Sequence, residues 1–158
     1  MSGTDLLTIL HQSKLFHGLS EEDLSFILSN GTRKIFNTNE ALIKEGQQDH
    51  SLFIIIKGHV EVILPKSING LQMERATQIK LGRMAQGDFI GEYSFIDQQP
   101  ASASVLALEP CEVFEITKPE FEKIINTSDR LAKSIYKNML RVLIKRIRDI
   151  NKELDMCF

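Results

Sequence analysis

The sequence predicts a mainly β fold, an antiparallel β-roll of the jelly-roll type (the cupin-like double-stranded β-helix), with helices at both ends. Two observations predict the strands. From Arg33 the hydrophobic period changes to two, and the apolar runs are short, rich in β-branched residues and separated by turn signals. These runs are RKIF, ALIK, SLFIII, HVEVIL, TQIKL, SVLAL and EVFEI. Because no helical segment lies between them, they favour an antiparallel sandwich or barrel over a parallel sheet.

Two short helices are predicted before the strands. In SEEDLSFILSN, Ser20 is placed to cap a helix, Asp23 occupies its third position and Gly31 ends it. Within the roll, Lys57-Gly58-His59 indicates a tight hairpin between two apolar strands. Residues 65–76 indicate a longer, polar hairpin loop.

Helical patterns return after the last strand. Pro119 is a favourable first-turn residue, and Ser128 is placed to cap a long helix that runs to about Leu154. One apolar line in it has the coiled-coil spacing 4, 3, 4, 3, 4: Tyr136, Leu140, Leu143, Ile147, Ile150 and Leu154. A second line widens the stripe near its start: Leu131, Ile135, Met139, Val142 and Ile144.

These two lines predict different contacts for the two parts of the long helix. We expect the early part to pack on its own domain and the later part to form a homodimer with a second copy. The alternative is that the whole stripe packs within one chain.

Length and composition are those of one domain. We expect N-terminal helices over 1–31, a roll over 32–117 and C-terminal helices over 118–158 of the 158 residues. A hydrophobic content of 42%, a charged content of 25% and a net charge of -2 are ordinary for a globular protein and argue against a surface that coats nucleic acid. No secretory signal and no apolar run of about 20 residues is present, so we expect a cytoplasmic protein without a transmembrane segment.

The stretch GDFIGEYSFIDQQPASASV, residues 87–105, carries the candidate binding chemistry. A short helical turn after Gly91 directs free backbone N–H groups outward, and helix starts of this kind attract phosphate. Ser102 and Ser104 offer additional hydroxyl donors.

The order of these elements, with the piece KEGQQDHSLFIIIKGHVEV, resembles the cyclic nucleotide-binding domain family. That family includes bacterial catabolite activators and the regulatory subunits of cyclic-nucleotide-dependent kinases and channels. The likeness extends from LFHGLSEEDL to IRDINKEL. The family's phosphate-binding cassette is similar to GDFFGELALL…PRSATV, which Gly91 and Glu92 match, and by that likeness Glu92 accepts the ribose 2′-hydroxyl. The residues that the likeness assigns to a ligand are Gly91, Glu92, Tyr93, Ser94, Ala101, Ser102, Ala103 and Ser104.

The sequence departs from the family pattern at Ala101, where the pattern has the arginine that holds the cyclic phosphate. Arginine supplies two charge-assisted hydrogen bonds in a fixed geometry, and alanine supplies none. Removing one partner of a desolvated charge pair costs roughly 3–5 kcal/mol, or about two to three and a half decades in affinity. We therefore do not expect usual binding of cAMP or cGMP.

Two hypotheses follow from this departure. In the first, the pocket binds another nucleotide-type ligand, such as a cyclic dinucleotide or another phosphorylated signal. In the second, the pocket is a relic and the domain is a constitutive protein-interaction module. Lys80, Arg83 or a basic residue of the long helix are candidates to replace the missing cation, although a solvated surface role is favoured for each.

Catalysis and metal binding are not expected. Glu92 has no paired acid, nucleophile or metal ligand nearby in sequence, so an enzyme is not indicated. The four histidines, His11, His17, His50 and His59, lie in different elements, which favours surface or packing roles over a metal site.

The long helix also carries a basic stripe: Lys133, Lys137, Arg141, Lys145, Arg148 and Lys152. It is either a solvated face or a docking strip for an acidic protein, an anionic membrane surface or nucleic acid. Transcription factors of the family continue into a helix-turn-helix domain, and this sequence stops at Phe158, so sequence-specific DNA binding is not expected. The resemblance instead implies signalling through the hinge KPEFEKII to an unknown effector protein.

Overall fold

The computed structural model describes residues 3–67 and 74–158. Its helices are α1 (Gly3–Gln12), α2 (Glu21–Leu28), α3 (Tyr93–Asp97), α4 (Lys118–Thr127) and α5 (Asp129–Met156). Its strands are β1 (Thr32–Phe36), β2 (Ala41–Ile43), β3 (Leu52–Lys57), β4 (Val60–Leu64), β5 (Ile79–Met84), β6 (Phe89–Ile90), β7 (Ser104–Ala107) and β8 (Cys111–Ile116).

The strands form two four-stranded antiparallel sheets, in the orders β1-β8-β3-β6 and β2-β7-β4-β5. This arrangement confirms the predicted roll. Each of the seven predicted apolar runs contributes a strand. The additional strand, β6, pairs only Phe89 and Ile90 with β3, and two residues are too few for a period to be visible in the sequence.

The predicted hairpin at Lys57-Gly58-His59 is wrong. The strands on either side of Gly58 lie in different sheets, because β3 pairs with β6 and β8 whereas β4 pairs with β5 and β7. Gly58 turns the corner with φ +94°, and a Cβ there would lie 2.8 Å from Cys111 Sγ. The predicted 65–76 loop does join a hairpin, since β4 pairs with β5 and a Ser67–Glu74 bridge extends it. Residues 68–73 of that loop lie outside the described residues.

Strand β3 separates two hydrophobic cores. Leu52, Ile54 and Ile56 face a core shared with the helices, which includes Leu24, Phe121 and Ile135 among its buried members. Phe53 and Ile55 point the opposite way, into the core between the two sheets. Because both faces of the strand are covered, its sequence is a continuous apolar run instead of an alternating one.

The helix starts carry the caps that the sequence predicts. Ser20 Oγ accepts a hydrogen bond from Asp23 N at 3.1 Å, and Ser20 N donates to Asp23 Oδ2. Ser128 Oγ likewise accepts from Leu131 N at the start of α5. Helix α4 begins at Lys118, one residue before Pro119, because Thr117 and Glu120 form a capping box.

Helix α5 has a buried first half and an exposed second half. Leu131, Ile135 and Met139 are buried in the core shared with the helices, which confirms the prediction for the early part. Asn138 Nδ2 donates to the carbonyl oxygens of Leu15 and His17, both at 2.9 Å, and so ties α5 to the segment after α1. No helix among residues 3–67 and 74–158 is long and apolar enough to cross a bilayer.

Candidate ligand-binding site

A cavity of about 90 Å³ lies between the β4–β5–β7 face, helix α3 and helix α5. Its apolar wall consists of Ile43, Val62, Met84, Ile90 and Val105. Most of the predicted ligand residues line its other side: Gly91, Glu92, Tyr93, Ser94, Ala101, Ser102 and Ala103. The fold therefore brings the two ends of the predicted cassette together around one space.

Ser104 is the predicted ligand residue that does not line this cavity. Its side chain is buried, and its Oγ accepts a hydrogen bond from Glu45 N at 2.8 Å. Gly46 N donates to the carbonyl oxygen of Ala101 at 2.8 Å, and Ala101 N donates to that of Gln47 at 3.0 Å. These hydrogen bonds hold the cassette against the loop after β2. The peptide groups of Ala101 and the hydroxyl of Ser104 therefore do not face a ligand.

Position 91 requires glycine, because the backbone there passes close to Ser51, Ile43 and His50. Its φ is +93°, in the region that favours glycine. A Cβ there would lie 2.5 Å from the carbonyl oxygen of Ser51, 3.2 Å from Ile43 Cδ1 and 3.3 Å from His50 Nδ1. Any larger residue would push helix α3 away from β3. The predicted short helical turn does follow, as α3.

Glu92 is buried at the base of the cavity and is paired with an arginine of α5. Arg146 Nη1 donates to Glu92 Oε1 at 2.6 Å, and Nη2 donates to the Phe89 carbonyl oxygen at 3.0 Å. The guanidinium also lies over the Phe89 ring, with 5.4 Å from Cζ to the ring centroid. Burial raises the pKa of the Glu92 carboxyl, and the neighbouring Arg146 charge opposes that rise.

Among the lysines and arginines of the described residues, Arg146 is the one that lines the cavity. Lys80 and Arg83 do not line it; their side chains lie 3.7 Å and 3.6 Å from Glu61 Oε1, on the β4–β5 pair. A basic residue of the long helix was one predicted replacement for the missing cation, but no single residue was chosen. A usable signal was present, because Arg146 and Arg130 lie outside the basic stripe of α5. Arg130 also forms a specific pair, with Asp23 at 2.7 Å.

His50 is a cavity residue that the sequence analysis assigned only to a surface or packing role. It is 6% exposed and lies beneath the cassette. Its Nε2 is 2.7 Å from Ser94 Oγ, its Nδ1 is 3.2 Å from the Ser51 carbonyl oxygen, and its ring stacks on that of Phe95. No pattern in the sequence links His50 to Ser94, because the contact joins a loop to a helix in a different part of the chain.

The six predicted dimer residues all lie within α5. Leu140, Ile147, Ile150 and Leu154 are more than half exposed, Leu143 is half-buried, and Tyr136 packs edge-on against Phe121. Within the described ranges, no cluster of three His, Cys, Asp or Glu side chains is arranged to hold a metal ion.

Comparison with known proteins identifies the family. A profile of the cyclic nucleotide-binding domain matches residues 33–128. The chain belongs to the cyclic nucleotide-binding domain family. The resemblance to this family, drawn above from the order of the elements and the piece KEGQQDHSLFIIIKGHVEV, is thereby confirmed.

Curated relatives of this family member include transcriptional regulators. It is 26% identical over 144 residues to the cyclic AMP receptor protein of Thermus thermophilus, covering 91% of this chain and 62% of the relative. It is 29% identical over 125 residues to the cAMP-activated global transcriptional regulator CRP of Salmonella typhimurium, covering 78% of this chain and 56% of the relative. The chain thus spans about three fifths of the length of these proteins.

Solved structures show the same fold. The Thermus thermophilus catabolite activator protein superposes with a TM-score of 0.71 at 26% identity, over 92% of this chain and 63% of that one. A cyclic nucleotide-binding domain from Methylobacillus flagellatus superposes with a TM-score of 0.80 at 24% identity, over 98% and 83% of the two chains. The present chain therefore has the fold of the cyclic nucleotide-binding domain family.

Proposed function

We propose that this domain binds a nucleotide-type ligand other than cAMP or cGMP in the cavity around Gly91–Ala103, and reports its occupancy through α5 to an effector protein. The observation that carries the proposal is the pair between Glu92 of the cassette and Arg146 of α5. By the family likeness, Glu92 binds the ribose of the ligand and α5 transmits the signal. The pair therefore connects the binding residue directly to the signalling helix. We treat residues 1–158 as one regulatory unit without catalytic function.

The coupling follows from competition for Glu92. A ligand hydroxyl that donates to this carboxylate meets the Arg146 guanidinium, which already donates to it at 2.6 Å. A ligand that binds one position of Arg146 better than another shifts the population of α5 positions by that difference in affinity. Helix α4, which contains the hinge KPEFEKII of the family likeness, is the segment through which such a shift would reach the rest of the chain.

The ligand class rests on the cassette and on the relatives. The cassette residues that line the cavity, together with relatives that respond to cyclic AMP, support a nucleotide-type ligand. Ala101 gives no cation at the position of the family's phosphate-binding arginine, which argues against cAMP and cGMP bound in the usual way. A cyclic dinucleotide or another phosphorylated signal is the class that we propose.

A thermal-shift screen of the purified protein tests this proposal. Cyclic mononucleotides, cyclic dinucleotides and common nucleotides would be added singly, because a ligand that binds only the folded state raises Tm by mass action. We expect one class to raise Tm, and Glu92→Gln to weaken that rise without unfolding the protein. Saturable micromolar cAMP binding at physiological salt would contradict the proposed ligand class.

Ala101→Arg provides a second test of the cassette. If the rest of the cassette can hold a cyclic phosphate, restoring the arginine should create measurable cAMP affinity in calorimetry. The matched control is Ala101→Gln, which adds length without charge. Failure of Ala101→Arg to bind cAMP, in a variant that folds, would indicate a collapsed cavity.

The second candidate function is a ligand-free interaction module, and the size of the cavity favours it. Sites that bury small ligands usually measure about 300–1,000 Å³, whereas this cavity of about 90 Å³ has Arg146 in its lining. Under this hypothesis Arg146 is a permanent substitute for a ligand. The absence of any Tm shift across the nucleotide screen would favour it.

We further propose that the apolar face of the second half of α5 binds a second copy of the chain. The exposed line Leu140, Ile147, Ile150 and Leu154 has the spacing of a coiled-coil seam, and contiguous apolar surface of this kind marks interfaces. Ile147→Asp combined with Ile150→Asp should convert a dimer into a monomer in light scattering, while Lys152→Asp, on the basic stripe, should leave the dimer intact. A parent protein that is already monomeric would contradict the proposal.

A further inference from the structure

His50 occupies a position from which both ring nitrogens face hydrogen-bond acceptors. Its Nδ1 lies 3.2 Å from the Ser51 carbonyl oxygen, which can only accept. Its Nε2 lies 2.7 Å from Ser94 Oγ, and that hydroxyl donates its single proton to the Gln99 carbonyl oxygen at 2.7 Å. All three hydrogen bonds are made at once only when both nitrogens of His50 carry protons, and such a ring is a cation.

A positive charge on the His50 ring would lie close to the cassette. Nδ1 would lie 3.3 Å from a Cβ on Gly91, so the ring lies directly beneath the backbone that the cassette presents to its cavity. Ala101 supplies no cation there. A buried positive charge under the same backbone attracts an anion through a medium that screens it less than water does.

We propose that His50 is a positioning residue of the cassette, and that an anion enters the cavity together with a proton on this imidazole. The inference rests on the proposed function, since it concerns the same cavity. The protonated ring fixes the Ser94 hydroxyl toward Gln99 and so closes the loop that follows α3. When the ring is neutral, Ser94 donates either to His50 or to Gln99, and one of the hydrogen bonds is lost.

The charged groups around His50 come from several elements. Glu92 lies on the cavity side, with Arg146 of α5 paired to it.

Two further charged groups line the small cleft on the other side of the ring. They are Asp49, next to His50 in its own loop, and Lys118 of α4. Ser51 Oγ donates to Glu115 Oε1 at 2.7 Å, and Lys34 of β1 pairs with that carboxylate.

The first experiment uses the protein without a ligand. The ring nitrogens of His50 and the backbone amides of Ser94 and Gln99 would be followed by NMR from about pH 5.5 to about pH 8. We expect these amides to shift with the same midpoint as the His50 ring, and the shifts to disappear in His50→Gln. His17→Gln, a change at an exposed histidine, is the matched control. Amides that do not follow the His50 ring would overturn the proposal.

The second experiment uses inorganic sulfate as the probe, because its charge is constant over this pH range. We expect sulfate to bind at the cassette about tenfold more tightly at about pH 5.5 than at about pH 8, the size of one partly screened charge interaction. His50→Gln should remove this difference. Ser94→Ala, which keeps the histidine, should keep the sulfate difference but lose the amide response at Gln99. Equal sulfate affinity at the two pH values would overturn the proposal.

The two proposals fail in different ways. If no nucleotide raises Tm while the amide and sulfate responses follow His50, the proposed nucleotide function fails and the role of His50 stands. If a nucleotide binds with an affinity that is independent of pH, the role of His50 fails and the proposed function stands.

Discussion

Both halves of α5 carry an apolar stripe, but the surroundings of the two halves differ. In the first half, Leu131, Ile135 and Met139 are at most 2% exposed, because α1, α2, α4 and β3 supply the core around them. In the second half, Ile147 and Ile150 are 57% and 54% exposed. The second half touches the roll through Arg146, which reaches into the cassette.

Apolar spacing therefore indicates only part of what surrounds a helix. An apolar stripe predicts that a helix has a face to bury, but it does not identify what buries it. The first half is held by hydrophobic burial, and the second half by a polar contact at the candidate ligand site. A ligand can replace a single polar contact, such as the one between Arg146 and Glu92, more easily than it can replace a packed hydrophobic core.

The largest effect should come from truncating matched isoleucines in the two halves. Ile135→Ala removes a fully buried side chain and should lower the free energy of unfolding by about 2–4 kcal/mol. Ile147→Ala should change it by less than about 0.5 kcal/mol when measured at low protein concentration. Urea unfolding measures both. Equal costs at low concentration would mean that the second half is also packed within the chain.

Next in size is the contact that holds the second half. Arg146→Ala leaves the Glu92 carboxylate buried without its partner and should lower the free energy of unfolding by about 1–3 kcal/mol near neutral pH. Arg146→Lys keeps a charge but loses the second donor, so it should recover only part of the loss. Urea unfolding at neutral pH measures the stability of both variants. If Arg146→Ala leaves the free energy of unfolding unchanged, the Arg146–Glu92 contact does not hold α5 against the cassette.

The pH dependence of this second effect has a definite sign. Burial raises the pKa of Glu92 above its ordinary 4.5, so the group contributes stability below that value and loses it as pH rises through the folded pKa. Removing Arg146 removes the charge that opposes this rise. The cost of Arg146→Ala should therefore be smaller near pH 4 than near pH 7, and Glu92→Gln in the same background should abolish the difference. A cost that is independent of pH would contradict this assignment.

A smaller effect is expected at the start of the packed half. Ser128→Ala removes the side-chain cap on the Leu131 amide and should lower the free energy of unfolding by about 1 kcal/mol. Ser128→Asp keeps an acceptor at the cap and should retain most of the stability. If both variants lose the same amount, the cap is not the source of the effect.

The smallest effect should be at the residue beside Arg146. Lys145 pairs with Asp149 at 2.6 Å on the exposed side of α5, where water and salt screen the two charges. Lys145→Ala should therefore leave the urea unfolding midpoint almost unchanged. A loss comparable with that of Arg146→Ala would remove the contrast between the two neighbouring cations.

Much of the roll was predictable because its signals are local. Strand runs, caps at Ser20 and Ser128, and the glycine at position 91 depend on the period and on backbone chemistry within a few residues. The hairpin at Gly58 was predicted wrongly for the same reason: a glycine turn has the same sequence whether it reverses a strand within one sheet or carries the chain into the other.

The candidate site was predictable in part. The cassette segment gave the residues around the cavity, but not that Ser104 turns away to Glu45. Arg146 and His50 were not identified as cavity residues, since they come from α5 and from the loop before β3. Their positions depend on how α5 and that loop pack on the roll, which local sequence patterns do not specify.

The β-roll and its flanking helices were predictable from side-chain chemistry and local backbone preference. The cassette roles of Gly91 and Glu92, and the arginine missing at Ala101, came from the resemblance to the family's pattern. Three features depend on tertiary packing: Arg146 pairs with Glu92, His50 lies beneath Gly91, and α5 is packed along one half and exposed along the other. Such contacts join residues that are distant in the chain, and packing geometry alone brings them within hydrogen-bonding distance.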